Sequence, residues 1–108
     1  MKRGDVVIAA EKGRLTGKPR PWLVIQSDAF NATHSSITVA LVTTRQTGHG
    51  LFRVPVEGGR ETGLETASEI QCDKLATISR DSVMRVAGAA DETTIDLVDA
   101  ALRRWLDL

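Results

Sequence analysis

The chain is short of cysteine, of long apolar runs and of net charge, and each shortage excludes something. Cys72 is the only cysteine in 108 residues, so no intrachain disulfide forms and stability must come from packing. No stretch approaches the ~20 apolar residues that span a bilayer. The apolar start of the chain, Val6 to Ala10, is too short for a signal-peptide core. The expectation is a soluble, cytoplasmic protein with no membrane partner.

Metal ligands and the common catalytic motifs are also scarce. The two histidines, His34 and His49, lie in polar or Gly-rich stretches without a metal-ligand spacing, and Cys72 has no second cysteine to join it. No metal site and no cofactor are expected. No phosphate-binding Gly-rich loop and no Gly-x-Ser-x-Gly elbow is present. The formal net charge is zero, so there is no global basic signature of nucleic-acid binding. The distribution is less even. Lys12, Arg14, Lys18 and Arg20 follow one another with no acid between them, whereas Asp91, Glu92, Asp96, Asp99 and Asp107 load the C-terminal part.

What is present describes one folded domain over residues 1–108. At this length a chain buries roughly 65% of the surface it exposes unfolded, enough for one core. The 42% hydrophobic and 26% charged fractions are those of a globular chain, which argues against disorder. Most segments read as short strands. Trp22-Leu23-Val24-Ile25 and Ile37 to Val42 are apolar on both faces, so each is expected in the middle of a sheet. Phe52, Val54 and Val56 alternate with Leu51, Arg53 and Pro55, and Pro55 places that strand at an edge. In Ser68 to Asp73, Glu69, Gln71 and Asp73 share a face expected to be open, and Ile70 and Cys72 a face expected to be buried. Leu75 to Ile78 and Val83 to Ala87 complete the set. Short strands parted by Gly- and Ser-rich turns predict a barrel or sandwich.

The last segment is a helix. Asp91 is its predicted N-cap, and Ile95, Val98, Ala101, Leu102, Trp105 and Leu106 form one apolar stripe. Asp99 and Arg103 are a predicted i,i+4 pair on its flank. A helical turn at Asp28 to Asn31 is expected, with Asp28 as cap.

Few residues are left to do chemistry. Arg20 stands between Pro19 and Pro21, directly before a buried strand. Each proline fixes its own φ, and Pro21 pushes Arg20 out of the helical region, so the cation sits on stiff backbone. Stiffness suits an electrostatic catalyst, which must be preorganised. Local physics leaves two readings open, a functional cation and a solvated loop residue. Thr43 and Thr44 end another buried strand and would place hydroxyls at its mouth. Cys72 falls on the buried face and reads as an inert core thiol.

In order along the chain, five motifs resemble the MazF/PemK toxins. They are Lys2-Arg3-Gly4-Asp5-Val6-Val7, Arg20 to Asn31, Val39 to Thr43, Cys72-Asp73-Lys74-Leu75-Ala76-Thr77-Ile78, and the helix from Asp96 to Trp105. Each is short, but their order is specific. The resemblance implies a mainly β fold, an SH3-like β-barrel of the CcdB/PemK type with a C-terminal α-helix, working as a homodimer. It implies a metal-independent endoribonuclease of a type II toxin–antitoxin system. Its partners would be single-stranded RNA as substrate and a cognate antitoxin protein. Arg20 would stabilise charge on the scissile phosphate and Thr43 would hydrogen-bond it. Asp73 would be the available carboxylate. The residues expected to contact RNA are Arg14, Lys18, Gln71 and Lys74. The chain departs from the family pattern at Gln71 and Ala76, where relatives carry arginine, and in the loop from Glu11 to Lys18.

Two other classes share such a fold. A CcdB-like toxin poisons DNA gyrase without cutting RNA, and its Trp-containing tail has a parallel in Trp105. A non-catalytic SH3-like binding module is the third reading, since a fold does not fix a function.

Overall fold

The computed structural model describes residues 1–10, 17–45 and 50–108. Lys12, Arg14 and His49 lie outside them. The described residues form strands β1 (Asp5–Ala9), β2 (Arg20–Val24), β3 (Ser36–Thr43), β4 (Arg53–Val56), β5 (Ser68–Ser79) and β6 (Val83–Ala89), with helices α1 (Asp28–Asn31) and α2 (Glu92–Leu106). The strands make one antiparallel sheet in the order β4-β5-β3-β2-β1-β6.

The doubly apolar strands are central, as their composition requires. Leu23 of β2 and Ala40 and Val42 of β3 pack with Val6, Val54, Ile70 and Cys72 beneath α2, which contributes Val98, Ala101 and Leu102. Trp22, Val24, Ile37 and Val39 point the other way and pack with Val7, Ala9 and Ile78. Trp22 also donates its indole N–H to the Ala9 carbonyl at 3.2 Å, so its one polar atom is satisfied. β4 is an edge strand, which is where Pro55 is tolerated.

The sheet is not closed by strand pairing. The connection from β4 to β5 instead reaches across to β6, the opposite edge. The Ala89 N–H donates to the Glu61 carbonyl at 2.8 Å. Gly63 lies at φ +73°, and a Cβ there would overlap the Ala87 carbonyl. A Cβ on Gly88 would overlap the Glu61 carbonyl in turn. This backbone-to-backbone approach makes the sheet barrel-like, and together with the C-terminal helix it is the SH3-like architecture that the motifs imply.

β5 runs through both segments that the sequence pattern separates. Opposite Ala40 and Leu41 of β3 its register jumps from Leu75 to Gln71. Cys72, Asp73 and Lys74 therefore bulge from the ladder on that side, and the Cys72 N–H turns to the Phe52 carbonyl at 2.8 Å.

The structure corrects three local expectations. Asp28 does not cap α1; Ser27 does, its hydroxyl accepting from the Ala29 N–H at 3.2 Å. Asp28 is used elsewhere, accepting from the Arg3 N–H at 2.7 Å and the Asn31 amide at 2.9 Å. Asp99 pairs with Arg3 at 2.8 Å rather than with Arg103, because a guanidinium arriving from the N-terminal strand also donates to the Ile25 carbonyl and is held there. The apolar stripe of α2 is only partly inside. Val98, Ala101 and Leu102 are buried, but Trp105 is 47% exposed and meets Phe52 edge-on at 5.2 Å, and Leu106 is half-exposed, because the helix runs past the edge of the sheet. Asp91 does cap α2, accepting from the Thr94 N–H at 2.8 Å.

Leu23 is fully buried at the centre of the larger cluster. Leu23→Ala is expected to cost about 3 kcal/mol in stability by urea unfolding, through lost burial and an unfilled cavity. Acid should also loosen the fold. The Arg3 N–H and the Asn31 amide hold the Asp28 carboxyl below its usual range, and the Thr94 hydroxyl and N–H do the same for Asp91. A carboxyl lowered in the folded state stabilises above its ordinary pKa, and that contribution is lost as pH falls through the lowered value. The midpoint of thermal unfolding should therefore drop below about pH 4, and the drop should be shallower in Asp28→Asn and Asp91→Asn.

Candidate active site

The side chains of the sheet sort into two faces, and one end of the face opposite α2 is polar. Trp22 pairs with Leu41, and continuing that register by two residues sets Arg20 across from Thr43. Thr43 pairs with Glu69, and Leu41 with Gln71. On the far side of β5, Gln71 pairs with Arg53. Side chains of directly paired residues share a face. Arg20, Thr43, Glu69, Gln71 and Arg53 thus stand on one surface, beyond the apolar cluster of Trp22 and Val39.

Arg20 opens β2 and pairs with Ala9 of β1. Its side chain is partly buried, and Nε has neither solvent exposure nor a hydrogen-bond partner among the described residues. An unpaired buried donor costs roughly 1–3 kcal/mol, more when it is charged, so a guanidinium kept this way is set up for an anion. The Thr43 hydroxyl accepts from the Arg45 N–H at 3.2 Å, which leaves its own O–H free to rotate toward a ligand.

The face carrying Glu69 and Gln71 is not open, contrary to the alternation reading. Glu69 is 6% and Gln71 7% exposed, and Arg53 from the edge strand stands beside both. The Arg53 guanidinium is 3.8 Å from the Glu69 carboxylate. With its amide oxygen turned toward Arg53, Gln71 accepts at 2.6 and 2.9 Å. Arg53 and Glu69 are the residues that the motif reading left out of the site. Their signal was there, two opposite charges on neighbouring strands, one opposite Gln71 and one two residues from it, but pairing of those strands is not visible in one sequence.

The other expected site residues are placed less centrally. Asp73 lies in the β5 bulge, with Oδ1 buried and without a partner. Among the described residues no hydrogen bond or ion pair joins it to Arg20 or Thr43. Lys74 is exposed on the same bulge, and Lys18 is exposed just ahead of β2. Arg14 lies outside the described residues. Among the described residues no three of His, Cys, Asp or Glu are grouped to hold a metal, and no helix is long and apolar enough to cross a membrane.

Cys72 is fully buried beside this face, as its alternation predicts. Burial first, then the neighbouring Asp73 charge, pushes its thiol up to about 11.

A small barrel-like sheet thus presents a guanidinium and a hydroxyl on one polar face, groups that suit an anion. Residues 2–106 match the family described as PemK-like, MazF-like toxin of type II toxin–antitoxin system, and the chain belongs to that family. It is 43% identical over 108 residues to a protein of Mycolicibacterium smegmatis named probable endoribonuclease MazF, covering 100% of this chain and 98% of that one. The solved Mycobacterium tuberculosis toxin MazF-mt6 superposes with a TM-score of 0.81 at 25% identity, covering 96% and 97% of the two chains. A mycobacterial endoribonuclease in complex with its cognate antitoxin gives a TM-score of 0.82 at 21% identity, over 100% and 96%, a likeness of fold.

At pH 8 a thiol with a pKa near 11 is ionised to roughly one part in a thousand. Cys72 should therefore react with an aromatic disulfide reagent at least ~100-fold more slowly in the native protein than in urea. Rapid native labelling would contradict its placement in the core.

Proposed function

We propose that this chain is an endoribonuclease toxin that cuts single-stranded RNA at short sequences by attack of the RNA's own 2′-hydroxyl, without a metal. The observation that carries the reading is Arg20, a rigidly mounted guanidinium with a buried, unpartnered Nε, in register with Thr43 at the mouth of the sheet. The relative that is 43% identical over the whole chain is itself named an endoribonuclease.

The chemistry suits these groups. The 2′ oxygen loses its proton to a base as it bonds to phosphorus, the bond from phosphorus to the 5′ oxygen breaks and that oxygen takes up a proton, and negative charge accumulates on the phosphoryl oxygens in between. A guanidinium binds two such oxygens at once and remains charged at every working pH. Arg20 stabilises that charge, and Thr43 hydrogen-bonds the phosphate. Asp73 is the available carboxylate, within the Cys72 to Ile78 motif. Lys18 and Lys74, both exposed, attract the flanking phosphates, with Arg14 and Gln71 as further RNA contacts. We read the protein as a cytoplasmic homodimer. A cognate antitoxin with an acidic segment would neutralise it by covering the same cations.

The test is incubation of the purified protein with long RNA in chelator, followed by mapping of the ends. The expected products carry a 2′,3′-cyclic phosphate, or its hydrolysis product, and a 5′-hydroxyl. Arg20→Ala should lose about 10²–10³-fold in cleavage rate and lose toxicity while keeping its melting curve. Intact RNA together with trapped gyrase–DNA breaks would instead favour a gyrase poison.

A further inference from the structure

We propose that Arg53 is a positioning residue that acts through Glu69, its guanidinium offsetting a buried carboxylate that would otherwise repel the scissile phosphate. The inference rests on the ribonuclease reading above. The strand pairing sets up a conflict of charge. Glu69 is the direct partner of Thr43, and Arg20 follows in the same register on β2. Partners in a ladder stand on one face with Cβ atoms about 5 Å apart. A phosphate held by Arg20 and Thr43 would therefore lie roughly 5–8 Å from the Glu69 carboxylate. The Glu69 side chain is only 7% exposed, so little water screens it. Two anions at such a separation repel far more strongly there than in bulk water.

The remedy comes from the other side of β5, which lies between β3 and β4. Directly across from Glu69 on β4 is Pro55, which carries no charge. Arg53 reaches it diagonally. Its guanidinium is 3.8 Å from the Glu69 carboxylate, and its side chain is 22% exposed. The Gln71 amide oxygen accepts from the same guanidinium at 2.6 and 2.9 Å, which holds it at β5. At 3.8 Å the pair acts through its field more than through a directed hydrogen bond, and a field is all that compensation needs. With Arg53 in place, the charges of Arg20, Glu69 and Arg53 leave the face positive. Without it, Glu69 weighs against Arg20. This role asks for no contact between Arg53 or Glu69 and the RNA.

The test uses the full-length protein, with a melting curve for each variant. The probe is an uncleavable 2′-deoxy oligonucleotide of a cleaved sequence, carrying either the natural phosphate or an uncharged methylphosphonate at the scissile position. Arg53→Met should weaken binding of the phosphate form about 10-fold and of the methylphosphonate form less than about 2-fold, because only the first has charge to repel. Cleavage of the matching RNA should fall about 10-fold as well. Arg53→Met combined with Glu69→Gln should bind and cut within about 3-fold of the unaltered protein, and Glu69→Gln alone should do no worse. A folded Arg53→Met that binds the phosphate form normally overturns the proposal. So does a double variant as weak as Arg53→Met, which would mean that Arg53 meets the RNA itself. Equal losses on both oligonucleotides overturn it too, since a loosened fold does not distinguish them. Should Arg53→Met fail to fold because it strands a buried charge, the double variant is compared with Glu69→Gln, and a deficit on the phosphate form above about 3-fold overturns the proposal. If the unaltered protein cuts no RNA, the ribonuclease reading fails, and this inference with it. If it cuts and Arg53→Met cuts equally well, this inference alone fails.

Discussion

Burial of the sheet on both faces is the constraint from which the rest follows. β2 and β3 send Leu23, Ala40 and Val42 under the helix and Trp22, Val24, Ile37 and Val39 to the opposite side. A slip of one residue would exchange the two sets and drive every side chain to the wrong face. The register is therefore pinned from both sides. Arg20, Thr43, Glu69, Gln71 and Arg53 need no interactions of their own to come together. They are simply the positions that follow the apolar ones at one end of a register already decided. That economy also permits an unpartnered donor on Arg20, since the cost is borne by a core that does not depend on it.

The polar face presents guanidinium groups, and their fork geometry suits planar or tetrahedral oxyanions. A neutral protein can present such a site because the two guanidinium groups are placed rather than numerous. Arg20 is left with an open donor. Arg53 stands against Glu69 and Gln71 instead. Two arginines on one face thus differ in what their neighbours accept.

How legible all this is depends on whether the deciding partner is near in sequence. The cap at Asp91 acts three residues away on Thr94, and the pattern alone identifies it. Pro55 marks an edge strand because it lacks an N–H, a property of the residue itself. Cys72 falls inside by simple alternation. The misses all involve distant partners. Asp28 looks like a helix cap, but the Arg3 N–H, 25 residues away, takes its carboxylate. Asp99 looks like a partner for Arg103 until Arg3 arrives across 96 residues. Glu69 and Gln71 look solvated because nothing nearby in sequence says that they will be buried, with Arg53 of the neighbouring strand beside them.

The sequence by itself determined the two-sided strands, the capped helix, the edge position of Pro55 and the stiff Pro19-Arg20-Pro21 mount, because backbone restriction and side-chain periodicity are local physics. Only the tertiary structure decided that Arg20 would stand in register with Thr43, that β5 would bulge at Cys72 to Lys74, and that Arg53 would stand beside a buried Glu69 and Gln71. Each of these is a pairing between strands far apart in the chain. Such pairings are chosen by which registers bury both faces of the whole sheet at once, and no single segment contains that information.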